Sequence, residues 1–430
     1  MPRRNIVVIL VVAVVSTLCH GSVQNNRFGR ILVEAMNKIS QRSLKPIDKE
    51  ALLEGGIEGM VRRLGDPHSA YLAPQRKKEL DEDIKGEFDG VGMVVGYNPK
   101  TEEITVLSPI VGTPAYEAGI RAGDKILAVD GESTQGMPLE EAVGRIKGER
   151  GTQVTLTILH EDEKDPVEIK IVRKTVHVDS VLGDTRIRNG QWNFFLPGKD
   201  RIGYVRINKF ARDTPDELRR ALTELVDDGM RGLILDLRDN PGGLLEEAVA
   251  ICDMFIESGD IVSTRGRGNV VHMRFPATED GTFGDFPIAV LVNHYSASAS
   301  EIVAGCLQEH GRAKVIGQRT YGKGTVQDLI ELDGGHGAIR LTTAKYWVGE
   351  KNIHKAPDAT EEDEWGILPD EGYEVVVEGE DLARLYEQRR KRDLFIPDAG
   401  NGNGNGNDQP EPLVDPQLEK AVEYIEGGTP

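Results

Sequence analysis

The sequence has 430 residues, more than a single hydrophobic core usually organises, so we expect two or three folded units. Hydrophobic residues make up 39% and charged residues 29%, which is typical of globular proteins. A net charge of -19 without a basic stripe argues against nucleic acid as a partner. The three cysteines do not support a disulfide framework or a CxxC metal site, so Cys252 and Cys306 are expected to be buried apolar residues.

The N-terminus has the pattern of an export signal. Two arginines precede an apolar run over residues 6–18, which is short for a membrane span but typical of a secretory signal. Residues 1–22 are therefore predicted to be a signal peptide cleaved after Gly21, a lipoprotein signal at Cys19 or an uncleaved membrane anchor. We expect the rest of the chain in the periplasm or on the outer face of the cytoplasmic membrane.

Residues 23–85 are predicted to form an N-terminal helical region. Apolar side chains recur at helical spacing between residues 26 and 64, and Pro67 in the turn-rich stretch that follows predicts the end of the helices. We interpret this region as an arm for interaction or dimerisation, so a homo-oligomer is the expected state.

Residues 86–175 alternate short β-type runs with glycine-containing turns. One predicted helix, over residues 138–146, interrupts them. This pattern predicts a compact domain, a small β-barrel or sandwich that carries one helix. The predicted strands lie near residues 93–95, 104–107, 125–129 and 154–158.

Residues 176–396 change character, because buried strands now alternate with helices. This order is typical of an α/β domain with a largely parallel sheet flanked by helices. Catalytic groups in such sheets usually lie where strands end and loops lead into helices. The predicted strands are 202–207, 232–237, 288–293 and 314–316, and the predicted helices are 214–228, 244–256 and about 298–309.

The C-terminal end divides into two parts. Residues 397–412 contain Asn-Gly repeats and prolines and are predicted to be a flexible linker. Residues 413–430 form an amphipathic segment with Leu413, Leu418, Val422 and Ile425 on one face. This segment either docks back on the protein or binds another subunit.

One segment could supply a nucleophile. In residues 292–303 (VNHYSASASEIV) a buried strand leads through small residues into a helix, so Ser298 would lie beside backbone N–H groups and the positive helix end. Taken alone, the same pattern also predicts a simple N-cap. His294 precedes the serine, but no partner acid suggests a Ser-His-Asp triad, so a structural role is favoured for it.

A second segment could supply a base. In residues 319–327 (RTYGKGTVQ) two glycines flank Lys323, so the backbone can approach another segment closely there. A lysine acts as a general base only when it is neutral, which requires burial beside the nucleophile. The alternative is a lysine facing solvent or phosphate, although the GxxxxGK[ST] spacing of a phosphate loop is missing.

A third segment could stabilise negative charge. Residues 235–243 (LDLRDNPGG) form the end of a strand and a glycine-rich loop. The amides of Gly242 and Gly243 could donate to a developing oxyanion, together with the amide of Ala299. A plain turn is the competing interpretation.

Together, the three segments resemble those of the carboxy-terminal processing peptidases, which are PDZ-containing serine proteases with a Ser/Lys dyad. The resemblance extends over about residues 30–380 and includes LGDPHSAYL, FDGVG and TTAKY. It implies Ser298 as nucleophile, Lys323 as base and Gln327 as the residue that orients the lysine. It also implies an oxyanion hole of Gly243 and Ala299.

The same resemblance carries further expectations. It implies a ClpP/crotonase-like catalytic core, supporting roles for Ser296 and Ser300, and neither a metal nor an organic cofactor. One departure is an acidic insertion around residues 360–365, which predicts a different substrate preference.

Residues 86–175 resemble a PDZ domain. The likeness rests on residues 114–124 (PAYEAGIRAGD) and on a carboxylate-binding loop formed by Gly90, Val91, Gly92 and Met93. PDZ domains add a peptide to the edge of a sheet and hold its terminal carboxylate with loop amides. With the export signal, the resemblance implies an exported serine endopeptidase that processes or degrades proteins from or near their C-termini. The PDZ domain would recognise or gate the substrate tails.

Three alternatives stay open at this stage. A catalytically silent PDZ scaffold would have the same peptide groove without the chemistry. A trypsin-like PDZ protease would need a GxSxG loop and a His-Asp pair, which residues 293–300 do not offer. Crotonase-type acyl-CoA chemistry is disfavoured by the export signal and by the serine and lysine.

Overall fold

The computed structural model describes residues 27–160, 163–187, 190–199, 201–393 and 414–427. The predicted signal or anchor, the predicted linker and Leu413 lie outside these residues. None of the described helices combines the length and the apolar character needed to cross a membrane.

The described helices largely coincide with the predicted ones. They are α1 (Arg27–Arg42), α2 (Lys49–Arg62), α3 (Pro74–Lys85), α4 (Pro114–Glu117), α5 (Leu139–Ile146), α6 (Thr214–Asp227), α7 (Leu245–Asp253), α8 (Ala299–Glu309), α9 (Gly379–Asp393) and α10 (Pro416–Gly427).

The strands follow in chain order. They are β1 (Ala70–Leu72), β2 (Glu87–Gly90), β3 (Met93–Asn98), β4 (Glu103–Pro109), β5 (Lys125–Val129), β6 (Glu132–Ser133), β7 (Gln153–Leu159), β8 (Val167–Val172), β9 (Lys174–His177), β10 (Val181–Leu182), β11 (Thr185–Arg186), β12 (Trp192–Asn193), β13 (Ile202–Ile207), β14 (Gly232–Asp236), β15 (Asp260–Arg265), β16 (Val271–Pro276), β17 (Ile288–Val292), β18 (Lys314–Gly317), β19 (Thr325–Glu331), β20 (Ala338–Val348) and β21 (Lys351–Asn352).

The described chain divides into two compact units, and the smaller one comprises residues 27–77 and 327–342. Its helices α1 and α2 lie within the stretch predicted to be helical. Strand β1 pairs antiparallel with the first residues of β20. Helix α1 buries none of its residues, and Phe28, Ile31 and Leu32 are among its exposed apolar side chains.

The larger unit contains the region that resembles a PDZ domain. Five strands lie in the order β3-β4-β5-β7-β8, with β6 paired to β5, and the apolar residues of this region form a core of their own. The predicted helix is present as α5. Strand β3 lies at the edge of this sheet, because among the described strands only β4 pairs with it.

The larger unit also contains a five-stranded sheet in the order β10-β13-β14-β17-β18. Strands β13, β14, β17 and β18 are parallel, as the alternation of strands and helices predicts. Alternate residues of these strands point to opposite faces. One face packs on α6, α7 and α8, and the other packs on Ala421 and Val422 of α10. The C-terminal segment therefore docks back on the protein.

Candidate active site

The three segments singled out in the sequence follow three neighbouring strands of the parallel sheet. Asp236 ends β14, Val292 ends β17 and Gly317 ends β18. Because these strands are parallel, their carboxyl ends lie at one edge of the sheet. The fold thus brings the glycine-rich loop, the serine and the lysine segment to the same edge.

Ser298 is the N-cap of α8 and is 5% exposed. Its backbone has φ 57° and ψ -114°, a conformation that residues other than glycine rarely adopt. Strain of this kind costs about 1–3 kcal/mol and persists only where the surroundings hold it. Ser298 is therefore both the residue that caps α8 and the residue predicted to be the nucleophile.

Glu301 holds this conformation. It is 0% exposed, and its Oε2 accepts hydrogen bonds from the backbone N–H groups of Ser298 at 2.7 Å and Lys323 at 2.8 Å. Its Oε1 accepts from the Gly322 N–H at 2.7 Å and the Thr320 hydroxyl at 2.6 Å. One buried carboxylate thus connects the serine segment to the lysine segment.

Burial raises the pKa of Glu301 to about 7, although the four donors oppose this shift by favouring the charged form. Sequence reasoning assigned no role to this residue. The signal that could have found it is the Ser-x-x-Glu spacing of a capping box, since Ser298 is the N-cap and Glu301 is N3.

The glycines beside Lys323 permit a close approach of two chain segments, as predicted. A Cβ on Gly324 would lie 2.4 Å from the backbone nitrogen of His354, and a Cβ on Gly322, at φ 83°, would lie 2.8 Å from Cβ of Lys355. Lys323 itself is half-buried. No bulkier residue fits at either glycine without moving the lysine backbone.

The acidic insertion packs on the lysine segment. Trp365 is 8% exposed, and two cations lie over its ring, the Arg319 guanidinium at 4.0 Å and Lys355 Nζ at 3.7 Å from the ring centroid. Just after the insertion, the N–H of Ile367 donates a hydrogen bond to the Thr320 hydroxyl at 2.7 Å, so this stretch is also joined to the lysine segment. The insertion therefore forms part of the support of the active site.

The glycine-rich loop is held by Asn240, which is 0% exposed. Its backbone carbonyl accepts from the N–H of Ala297 at 3.0 Å and from the Ser300 hydroxyl at 2.9 Å. Its side-chain Oδ1 accepts from the N–H of Gly242 at 2.8 Å. Of the two glycine amides considered in the loop, the one at Gly242 already has a partner.

Gly242 also sets the separation between the loop and the serine. A Cβ at this position would lie 2.8 Å from the Ser298 Cβ and 3.0 Å from the Ala299 nitrogen. A Cβ on Gly243 would lie 2.2 Å from the carbonyl oxygen of Phe210, a residue that follows β13 and forms an isolated β-bridge with Gly243. The loop backbone can therefore approach the serine segment only because Gly242 lacks a side chain.

Family models match most of the chain. Residues 201–371 match peptidase family S41, residues 105–160 match the PDZ domain and residues 20–75 match the N-terminal domain of the activating protease CtpB. A carboxy-terminal-processing protease of Bartonella bacilliformis is 38% identical over 395 residues, which are 88% of this chain and 84% of that protein. The chain belongs to the carboxy-terminal-processing protease family. It is a serine protease with a PDZ domain.

Other comparisons agree with this assignment. A carboxyl-terminal-processing protease of Synechocystis is 38% identical to this chain over 319 residues, which are 73% of this chain and 69% of that protein. A solved S41 protease structure from Bacteroides fragilis covers 91% of the chain and 96% of its own at a TM-score of 0.50. Its identity is 17%, so this likeness concerns the fold alone. The expected ClpP/crotonase-like core stays a prediction.

A polar network lies behind the glycine-rich loop of the protease. Asp236 is 2% exposed and accepts from the Tyr204 hydroxyl at 2.6 Å and from Arg238 Nη2 at 2.6 Å. Burial opposes ionisation of Asp236, but the Arg238 guanidinium holds the pKa of this carboxyl below its usual range. Arg238 Nη1 in turn donates to Asp415, which precedes α10, at 2.9 Å.

Other serines of the nucleophile segment have the supporting positions expected for them. The Ser296 hydroxyl donates to the Leu237 carbonyl at 2.8 Å, and the Ser300 hydroxyl donates to the Asn240 carbonyl. Exposed His294 lies against Tyr295, with ring centroids 3.9 Å apart. Nothing in these contacts places His294 in a catalytic triad.

Gln327 lies on β19, and its Nε2 is 3.4 Å from the Thr342 hydroxyl within the smaller unit. Its assignment to orienting Lys323 stays a prediction.

The proposed carboxylate-binding loop connects β2 to the edge strand β3. Val91 is 2% exposed, and its carbonyl accepts from the N–H of Ala115 at 2.8 Å. The Gly92 carbonyl accepts from the Thr113 hydroxyl at 2.8 Å. Gly90 ends β2 and Met93 begins β3, so all four predicted residues lie at the start of the open sheet edge.

Proposed function

We propose that the protease cleaves peptide bonds with Ser298 as nucleophile and Lys323 as general base. The observation that carries this proposal is the Glu301 carboxylate, which binds the backbone N–H groups of both residues. A residue pair that must exchange a proton needs such fixed relative positions.

The proposed reaction is an acyl transfer. Neutral Lys323 takes the proton of the Ser298 hydroxyl, and Oγ attacks the scissile carbonyl carbon. The amides of Gly243 and Ala299 donate to the oxyanion. As the peptide C–N bond breaks, protonated Lys323 gives its proton to the leaving amine. Water, deprotonated by the neutral lysine, then hydrolyses the Ser298 ester and frees the serine. Because the Gly242 amide already donates to Asn240, Gly243 is the loop residue chosen to donate its amide to the oxyanion. Gln327 is assigned, by resemblance, to orienting the lysine.

We further propose that the substrates are proteins with accessible C-termini. The related proteins are named for carboxyl-terminal processing, and the edge strand β3 with the 90–93 loop suits a peptide that adds a strand and ends in a carboxylate. Export to the periplasm or the outer membrane face, homo-oligomerisation and membrane association through the N-terminus complete the proposal.

Cleavage of an unfolded protein tests the catalytic pair. The purified protein without residues 1–22 is incubated with the substrate and compared with Ser298→Ala and Lys323→Ala. Both variants should lose at least about 1000-fold in kcat, since removal of a nucleophile or its base leaves only residual catalysis. Lys345→Ala, a change at an exposed lysine, serves as the matched control. Cleavage by both variants at the wild-type rate would overturn the assignment.

A second experiment tests substrate selection. Two peptides identical in sequence, one with a free C-terminal carboxylate and one with a C-terminal amide, are compared as substrates. A PDZ loop that holds the carboxylate predicts about a tenfold or greater loss of kcat/KM for the amide. Equal values for the two peptides would show that the PDZ domain does not read the terminus.

A further inference from the structure

His177 lies where the chain leaves the PDZ domain. Strand β2 precedes the PDZ strands and β9 follows them, and the two pair antiparallel with Glu87 directly opposite His177. Opposed residues of antiparallel strands have Cβ atoms about 5 Å apart. The register of the two connecting strands therefore fixes a carboxylate beside the imidazole.

One ring nitrogen of His177 is bonded to a buried carboxylate. Nε2 lies 2.7 Å from Glu217 Oε1, and Glu217 is 8% exposed. The other oxygen, Oε2, accepts from the Ser180 N–H and hydroxyl, both at 2.8 Å, and from the Val181 N–H at 2.9 Å. An ionised carboxylate only accepts, so the ring proton is assigned to Nε2. In the neutral ring, Nδ1 then carries a lone pair.

That lone pair faces two further carboxylates. Nδ1 of His177 is 4.0 Å from Glu87 Oε1 and 3.8 Å from Asp213 Oδ2. Asp213 is the N-cap of α6, yet its side chain makes no capping hydrogen bond, which is unusual for aspartate at that position. Three electron-pair donors thus converge with no N–H or O–H between them, an arrangement that a cation would stabilise.

The separations suit a transition metal ion. In a tetrahedral zinc site with bonds of about 2.0–2.1 Å, neighbouring ligand atoms are about 3.4 Å apart. Each carboxylate oxygen lies roughly half an ångström farther than this from Nδ1, and the three ligand atoms all lie within 4.8 Å of one another. Glu87 is 44% exposed and Asp213 is 48% exposed, so both side chains have room to adjust. The fourth ligand position is left to water.

The second ring nitrogen completes the pattern. Histidines that bind metals usually donate their other N–H to a carboxylate, which fixes the tautomer and raises the basicity of the ligand. The bond from His177 to buried Glu217 has this form. The cluster therefore has both a ligand set and a fixed imidazole orientation.

We propose that His177 Nδ1, Glu87 and Asp213 bind a divalent transition metal ion of the zinc type. Bound there, the ion ties both connecting strands of the PDZ domain to the start of α6 in the parallel-sheet domain, and it stabilises their relative arrangement. None of the three ligands belongs to the serine, lysine or glycine-rich segments. The proposal holds whether or not Ser298 is the nucleophile.

Zinc binding to the full chain without residues 1–22 tests the proposal. The Ser298→Ala protein prevents self-cleavage, is freed of metal with a chelator and is dialysed at pH 7.5 against ZnCl2. Bound zinc is counted by elemental analysis. We expect one ion per chain that is lost in Glu87→Gln, in Asp213→Asn and in His177→Gln. Glu217→Gln should weaken binding about 10- to 100-fold without abolishing it.

The matched control is His160→Gln. Nδ1 of His160 lies 2.8 Å from Asp124 in the PDZ domain, so the variant removes another histidine-carboxylate pair and should keep the zinc ion. Circular dichroism checks the fold of each variant. No stoichiometric zinc, or zinc retained in Glu87→Gln and Asp213→Asn, would overturn the proposal. Absence of zinc would mean that a proton on Nδ1 joins His177 to the carboxylates, and retained zinc would mean that the ion binds elsewhere.

Discussion

At the scale of single residues, Glu301 is the group on which the geometry of the active site depends most. Its carboxylate accepts four hydrogen bonds, and two of them come from the backbones of the proposed nucleophile and base. Ser298 keeps its strained φ of 57° because these bonds and the start of α8 hold it. One buried side chain thus holds the backbones of both residues proposed for the chemistry.

Glu301→Gln removes half of this acceptor set. A glutamine has one acceptor oxygen, so two of the four donors would face an NH2 group. We expect kcat to fall about 100-fold, because small misplacements of reacting groups have effects of that size. The measurement is kcat and KM on the unfolded substrate, and an unchanged kcat would contradict the positioning role.

The raised pKa of Glu301 predicts a dependence of stability on pH. The pKa is about 7 in the folded protein against an ordinary 4.5, so the folded state keeps a proton that the unfolded chain has released. This contribution to the free energy of unfolding is complete below pH ~4.5 and is lost as the pH rises through 7. It amounts to about 3 kcal/mol, since one pKa unit is worth ~1.4 kcal/mol.

Urea unfolding at pH 5 and pH 8 checks this prediction in the Ser298→Ala background. The protein with Glu301 should lose more free energy of unfolding between the two pH values than the protein with Glu301→Gln. Other carboxyl groups contribute equally to both proteins, so the difference isolates Glu301. Equal pH slopes would mean that the glutamate is ionised throughout.

At the scale of elements, the end of the chain is bonded to the loop that carries the proposed oxyanion donor. Asp415, at the start of α10, accepts two hydrogen bonds from Arg238, and Gln417 Oε1 accepts a third at 3.0 Å. Arg238 also binds Asp236 at the end of β14. Helix α10 therefore helps to hold the beginning of the glycine-rich loop.

Asp415→Asn weakens this connection while keeping the shape of the side chain. We expect the free energy of unfolding to fall by about 1–3 kcal/mol, the range for a charge-assisted hydrogen bond. The loop should also lose order, so kcat should fall more than KM changes. Glu419→Gln, at an exposed position of the same helix, is the control. If both variants behave alike, α10 has no influence on the loop.

At the scale of the whole molecule, the parallel sheet is complete only with the last helix. Ala421 is 0% exposed and Val422 is 4% exposed, and they pack on Tyr204, Ile234 and Leu291 from the sheet. Without α10, this face of the sheet would be open to water. A chain limited to residues 201–371, which match family S41, would therefore lack the layer that α10 forms on this face of the sheet.

Ending the chain after Asp393 removes that layer. We expect a loss of several kcal/mol in the free energy of unfolding, because burial of each large apolar side chain is worth about 1.5–3 kcal/mol. Thermal unfolding of the truncated and full chains measures this loss. Ala421→Asp in the full chain should reproduce the effect in part, since it buries a charge without a partner. An unchanged melting temperature for both would show that α10 does not stabilise the sheet.

The sequence predicted much of this architecture because its signals are local. Alternation and helical spacing located β13, β14, β17, β18 and helices α6 to α8 to within a few residues. The motif order also located the serine, the lysine and the glycine-rich loop, which the fold gathers at one sheet edge. The role of Glu301 was missed because its partners at residues 320–323 are distant in the sequence and follow no periodic pattern.

The sequence by itself determined the family, the order of the domains and the residues proposed for the chemistry, since each rests on residue types at short spacings. Only the tertiary structure decided where α10 lies, which amide of the glycine-rich loop has a partner and which carboxylates surround His177. The physical reason is that these features are contacts between segments far apart in the chain. Such contacts depend on strand order and register, which local spacing does not encode.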